Sequence, residues 1–247
     1  MKLKKYDAVD LKNVKMLCDT PLHNKLEATE LTKSFFNKTN FTLIIGIPGS
    51  GKTTFAVSFI KQIYKKVFEK IILVMPESSR NSLAQNPFEK LPDSQLYEEL
   101  NGETCGTIYE MLKEHTDEKM KTLLVLDDVQ NSLKNKFVLQ SFKKIVANRR
   151  HLRTTIFCIC QNYTALDKQL RLLANNIICF NVGNIQFEKI REEHLNVKKE
   201  TFLDIRKFAF NGKHDWILIN PDSGRIFKQF DEIDYGKDNT DSDEEDK

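Results

Sequence analysis

No apolar run in this 247-residue chain approaches the ~20 residues needed to cross a bilayer. No apolar h-region follows the basic start Met1-Lys2-Leu3-Lys4-Lys5, so a secretory signal is not expected. The cysteines (Cys18, Cys105, Cys158, Cys160 and Cys179) are odd in number and include no CxxC pair, which indicates neither a disulfide framework nor a zinc site. These absences predict a soluble protein of a reducing, intracellular compartment, with no membrane partner. Cys158 and Cys160 alternate within an apolar stretch and are read as reduced core residues on one face of a strand. Trp216, the single tryptophan, and His151 are read as structural. Glycine is scarce at nine residues, yet Gly46, Gly49 and Gly51 fall close together.

What is present is core and charge. Hydrophobic residues make up 40%, enough for one sizeable α/β domain with extensions. The net charge of +3 conceals an asymmetry: residues 231–247 hold nine acidic and two basic residues. Without them, 36 Lys and Arg face 26 Asp and Glu, a body of +10. That excess suits attraction to a polyanion such as nucleic acid, or a surface merely solvated by Lys and Arg; charge does not separate the two. The acidic segment cannot bury enough apolar surface to order itself. It reads as a solubility tail, a dock for a basic partner surface, or a nucleic-acid mimic covering the basic body.

Apolar patterning divides the chain into residues 1–40, a polar N-terminal extension with some helix, residues 41–230, a single α/β domain, and the tail 231–247. Strands are expected at 41–45, 70–75, 122–126, 154–160 and 177–180, with a terminal hairpin over 216–219 and 225–230 around Asn220-Pro221-Asp222-Ser223-Gly224. Helices are expected over 53–68, 108–115, 137–150, 167–174 and 188–210, and a loop-rich insertion over 76–105. Strands alternating with helices imply a mostly parallel central sheet with helices on both faces. Ligands then sit at the carboxyl ends of its strands.

Three signals fall at such ends. Gly46-Ile47-Pro48-Gly49-Ser50-Gly51-Lys52-Thr53 fits the P-loop pattern GxxxxGK[ST] without mismatch, between an expected strand and an expected helix. Gly46, Pro48, Gly49, Ser50, Gly51, Lys52, Thr53 and Thr54 are therefore the candidate nucleotide contacts. The glycines let backbone N–H groups turn inward around phosphates. Lys52 reaches the β- and γ-phosphates of ATP, and the Thr53 hydroxyl ligates Mg²⁺. Next, Leu123-Leu124-Val125-Leu126-Asp127-Asp128 is a Walker B pattern. Asp127 is the expected metal carboxylate, and Asp128 the residue that orients or deprotonates the attacking water; the alternative for Asp128 is a turn cap. Third is Gln161, polar at the tip of an apolar strand. In the additional-strand (RecA-like, ASCE) class of P-loop NTPases, the strand after Walker B lies between the Walker A and Walker B strands, and its tip can touch the γ-phosphate or the water.

The transferring phosphoryl group also calls for a guanidinium, often from a neighbouring subunit. Among Arg149, Arg150, Arg153 and Arg171, Arg150 is ranked first and Arg171 second. The same side chains could grip DNA phosphates or solvate a helix end.

The string from Arg150-His151 through Thr154–Gln161 to Leu170-Arg171 and Asn175-Asn176, behind the two Walker patterns, resembles the genome-packaging ATPases of nucleocytoplasmic large DNA viruses and virophages, in the FtsK–HerA superfamily. The resemblance covers residues 40–182. It implies a homo-oligomeric ring, hexamer or pentamer, that drives double-stranded DNA into a capsid at its packaging vertex, in the virion or a viral factory of the host cytoplasm. It also carries the sensor role to Gln161 and the trans-acting role to Arg150. Asp128 departs from the glutamate many members carry there. The Lys- and Asn-rich composition also suits an AT-rich viral genome. Other P-loop classes fit less well. Asn135-Lys136-Phe137-Val138 lacks the acid of a guanine reader, no LSGGQ-like signature is present, and little chain remains for a helical lid. The alternatives are a small-molecule kinase that clamps its acceptor with Arg149–Arg153, and a nucleic-acid-binding scaffold without turnover.

Overall fold

The computed structural model describes residues 2–4, 26, 28–36, 39–64, 67–81, 83, 88 and 90–236. Cys18, most of the N-terminal extension and the tail from residue 237 onward lie outside the described residues. The strands are β1 (Lys2–Lys4), β2 (Phe41–Ile45), β3 (Lys70–Val74), β4 (Leu96–Tyr97), β5 (Thr122–Asp127), β6 (Thr154–Cys160), β7 (Asn176–Phe180), β8 (Trp216–Asn220), β9 (Arg225–Lys228) and β10 (Asp231–Asp234). The helices are α1 (Glu30–Phe36), α2 (Lys52–Gln62), α3 (Glu77–Asn81), α4 (Gly102–Asp117), α5 (Lys136–Asn148), α6 (Lys168–Leu172), α7 (Asn184–His194) and α8 (Lys199–Ala209).

Among the described residues these strands form one ten-stranded sheet in the order β1-β10-β9-β8-β7-β2-β6-β5-β3-β4. The central strands β7, β2, β6, β5 and β3 run parallel, and β8, β9, β10 and β1 continue antiparallel. β2, β5, β6 and β7 are buried along their whole length, which is why they read as unbroken apolar runs rather than alternating ones. Each face carries its own core. On one, Ile44, Phe157 and Ile159 meet Phe55 and Phe59 of α2 and Phe36 of α1. On the other, Leu43, Leu124 and Cys158 meet α4, α5, α7 and α8 through Ile108, Phe142, Phe187 and Phe202. Cys158 and Cys160 share this second face.

Four elements depart from the sequence reading, each for a local reason. The helix expected from residue 108 begins at Gly102, because the Asn101 side chain accepts a hydrogen bond from the Thr104 N–H (2.8 Å) and caps it. The helix expected over 188–210 is two helices. Between them the chain turns extended at Leu195, Val197 is buried, and the Val197 carbonyl accepts from Arg191 Nη1 (2.8 Å). Residues 231–234, assigned to the acidic tail, form β10: Ile233 alternates with acids, is buried, and lets the strand pair with both β9 and β1. α2 closes at Gln62, short of residue 68; residues 65 and 66 lie outside the described residues.

Asn101→Ala is expected to lower stability by about 1 kcal/mol, the usual worth of such a cap. Urea unfolding followed by circular dichroism measures it; an unchanged midpoint would show that the cap is dispensable.

Candidate active site

The geometry begins with strand register. β6 lies between β2 and β5, pairing Ile45 with Cys160 on one side and Ile159 with Asp127 on the other. The three segments that follow (Gly46 onward, Asp128 onward and Gln161 onward) therefore emerge side by side at one edge of the sheet. They line a cleft of about 610 Å³ together with Ser79, Leu83 and His214.

Gly46 is pinned beneath the loop, its N–H bonded to the Cys160 carbonyl (3.2 Å). A Cβ there would lie 2.6 Å from Ser50 Oγ and 2.7 Å from Phe180 Cβ, so no larger residue fits. Gly51 caps α2 at φ 99°, a left-handed conformation that side chains resist. The Ser50 N–H closes the turn on the Ile47 carbonyl (3.2 Å), and Lys52 Nζ arches back to donate to the same oxygen (2.9 Å). Behind the loop, α2 presents its N-terminal amides and their partial positive charge, an arrangement suited to phosphate.

Thr53 Oγ1 donates to Asp127 Oδ2 at 3.0 Å, joining the loop to the Walker B strand. Lys52 and Asp127, on either side of this contact, are both buried. Burial lowers the Lys52 pKa, against the pull of Asp127 and Asp128. Burial also raises that of Asp127, against the Thr53 hydrogen bond and the Lys52 charge. The oxygen-only pair of Thr53 and Asp127 is chemically suited to a hard divalent cation. Asp128 adopts φ 57°, a left-handed turn that aspartate tolerates better than most residues. It is exposed and faces the cleft beside Gln161.

Pro48, Gly49, Gly51, Lys52, Thr53, Thr54, Asp127, Asp128 and Gln161 thus line one cleft. Gly46 sits below it, and Ser50 faces inward with its hydroxyl oxygen unpartnered in the structure. Two residues passed over in the sequence complete the arrangement. The Gln130 side chain accepts from the N–H groups of Gln161 (3.1 Å) and Asn162 (3.3 Å) and donates to the Asn162 carbonyl (2.6 Å). It therefore ties the loop after β5 to the loop after β6. His214 Nδ1 lies 3.1 Å from the Ser50 carbonyl. Gln130 stood two residues past the acidic pair with nothing else to mark it, and no local pattern marked His214.

The arginines separate. Arg171 is buried and forks onto Glu193, with Nε at 2.8 Å and Nη2 at 2.6 Å from its two oxygens. Its guanidinium also lies over the Tyr163 ring, 4.9 Å from the centroid. A side chain held this way cannot extend to a phosphate, so its candidacy as the transition-state arginine is withdrawn. Its work is structural. Tyr163, two residues past Gln161, donates its hydroxyl to Glu193 (2.6 Å) and accepts from His194 (2.8 Å), and its N–H bonds Gln186 (2.8 Å). Arg149 is likewise buried, bonded to Val146 and Asn175. Arg150 is exposed at the amino end of β6, beside a second cavity with Asn40, Asn175 and Asp222. At ~3.3 Å per residue, the strand puts it roughly 20 Å from the cleft of its own subunit.

The Poxvirus A32 protein family matches residues 25–231. Among solved structures, the DNA-packaging ATPase B204 of Sulfolobus turreted icosahedral virus is 17% identical, with 77% of this chain and 96% of that one covered and a TM-score of 0.60. The genome-packaging NTPase B204 of Sulfolobus turreted icosahedral virus 2, in complex with ATP-gammaS, is 16% identical over 76% of this chain and 95% of that one, with a TM-score of 0.59. The pCW3 conjugation coupling protein TcpA, in monomer form with ATPgS, is 13% identical over 82% of this chain and 62% of that one, with a TM-score of 0.50. At these identities the likeness is one of fold. No curated protein matches the chain.

The polar cluster behind Gln161 predicts a pH dependence. Burial lowers the His194 pKa from 6.5 to about 4. Above pH 6.5 neither folded nor unfolded chain protonates it and nothing is lost. Below that, the unfolded chain takes up the proton first, so stability falls as pH drops from 6.5 toward 4, by on the order of 3 kcal/mol. Glu193, held below the ordinary carboxylate value by Arg171 and Tyr163 in spite of burial, adds its own loss only at the acid end of that range. His194→Gln should flatten the pH 4–6.5 limb of the stability curve measured by thermal unfolding. A limb as steep as the wild type's would assign the loss to other groups.

Proposed function

The chain belongs to the Poxvirus A32 protein family, and on that premise we propose that it is the ATP-hydrolysing motor that drives double-stranded viral DNA into a capsid. The observation that carries the hydrolytic part is the 3.0 Å bond between Thr53 and Asp127, which locks the phosphate loop to the acidic strand with Asp128 and Gln161 beside it. The family and the two B204 folds, named for genome and DNA packaging, support the packaging part.

In this reading the loop amides and Lys52 hold the β- and γ-phosphates. Lys52 exchanges its contact with the Ile47 carbonyl for phosphate oxygens. Thr53 and Asp127 would hold Mg²⁺, which would neutralise charge developing on the phosphates. Asp128 takes the proton of the attacking water, and Gln161, steadied by Gln130, orients that water in line with the leaving oxygen. ADP and phosphate leave. Among the described residues, no arginine lines the cleft. Arg150, exposed at the far edge, is assigned that role toward the cleft of a neighbouring copy, which makes the working unit a ring. Through residue 236, with β10 counted in the body, 36 Lys and Arg face 29 Asp and Glu, and this net +7 is the expected footprint for DNA phosphates. The kinase alternative loses its acceptor clamp, because Arg149–Arg153 lie at the opposite end of the sheet from the cleft.

Lys52→Ala is expected to abolish ATP hydrolysis, and double-stranded DNA to raise the wild-type rate; turnover that survives the substitution would sink the site assignment. Mixed assemblies of Arg150→Ala and Asp128→Asn subunits should regain part of the activity that each lacks alone. Folded, assembled mixtures that stay inactive would argue against a trans-acting Arg150.

A further inference from the structure

The catalytic groups mark one end of the cleft only. Asp127 and Asp128 follow β5 and Gln161 follows β6, so the terminal phosphate lies on the β6–β5 side of the P-loop. The nucleoside must leave on the other side, toward β7 and β8. His214 stands there, in the loop that leads into β8.

This loop is built rather than loose. The N–H groups of Asn211 (2.8 Å) and Gly212 (2.7 Å) both bond Asp215 Oδ2, closing residues 211–215 on themselves. His214 Nδ1 then reaches the Ser50 carbonyl at 3.1 Å. A carbonyl only accepts, so Nδ1 carries the proton and, in the neutral ring, Nε2 is left as an acceptor. The contact is close: a Cβ added at Gly51 would lie 3.3 Å from His214 Nδ1. The ring is exposed and lines the cleft.

We infer that residues 211–215 form the nucleoside subsite, in which His214 offers Nε2, at the ring edge, to an exocyclic amino group of the base. Such an acceptor matches adenine, which carries an amino group where guanine carries a carbonyl oxygen. The inference rests on the nucleotide-site reading above and adds the base to it.

The test titrates full-length protein, in Mg²⁺, with ATP-gammaS, GTP-gammaS and inorganic tripolyphosphate by calorimetry. The variant is His214→Asn, whose amide can keep the hydrogen bond to Ser50 while removing the ring. Loss of one hydrogen bond predicts ATP-gammaS affinity about tenfold weaker, tripolyphosphate affinity unchanged, and the preference for adenine over guanine reduced to about twofold or less. Equal losses for ATP-gammaS and tripolyphosphate would show that His214 only braces the P-loop and would overturn the inference. Unchanged affinity for all three would overturn it as well. Wild-type protein that binds neither nucleotide nor tripolyphosphate would instead overturn the nucleotide-site reading, and this inference with it.

Discussion

The placement of β6 between β2 and β5 is the constraint on which the site depends. Parallel pairing fixes Ile45 beside Cys160 and Ile159 beside Asp127. A slip of one residue in either ladder would turn each side chain to the opposite face. It would also withdraw Asp127 from Thr53, breaking the 3.0 Å contact. Register is held by burial on both faces. Leu43 and Cys158 fit the core under α4, α5, α7 and α8, and Ile44 and Ile159 fit the core under α1 and α2. The active site is thus a consequence of two hydrophobic cores agreeing on one alignment.

Electrostatics explains why such alignment is worth maintaining. Lys52 and Asp127 are both mostly shielded from water, and burial displaces each toward its neutral form. Their mutual attraction offsets part of that cost but does not cancel it. A polyanion entering beside Lys52 and a cation beside Asp127 would each restore a missing partner. The loop amides at the start of α2 add partial charge that needs no reorganisation on binding. Gly46 and Gly51 belong to the same account. One admits the close approach beneath Ser50 and Phe180, and the other supplies the left-handed cap that turns the amides inward.

Much of this was legible in the chain because the central elements announce themselves. Uninterrupted apolar strands, a mismatch-free P-loop and a strand ending in Asp127-Asp128 are local patterns, and β2, β5, β6 and β7 formed where the patterns stood. What escaped was tertiary. The helix from Gly102 depends on an asparagine cap that outweighs a glycine. The break before α8 depends on burying Val197. Ile233 organises β10 amid acids that read as a solvated tail. Arg171 shows the limit most clearly. It ranked second among the arginines for a phosphate contact, while its actual partner, Glu193, lies 22 residues further on and met it only on folding. Gln130, through three hydrogen bonds, and His214, through one, touch the site at backbone atoms only, and such contacts leave no periodicity or motif behind.

The same long-range contacts join the two ends of the cleft. Tyr163 anchors the Gln161 loop onto α7 through Gln186, Glu193 and His194. α7 stacks on α8 through Phe187 and Phe202, whose ring centroids are 4.2 Å apart at 15°. α8 ends at Ala209 and runs directly into the loop that places His214 against Ser50. Packed aromatic contacts of this kind transmit displacement because they are not continuously deformable. The loops that hold Gln161 and His214 are therefore both tied to one helical pair, inserted between the last parallel strand and the first antiparallel one. On the proposed reading, a rearrangement of α7 and α8 would displace the Gln161 loop and the His214 loop together.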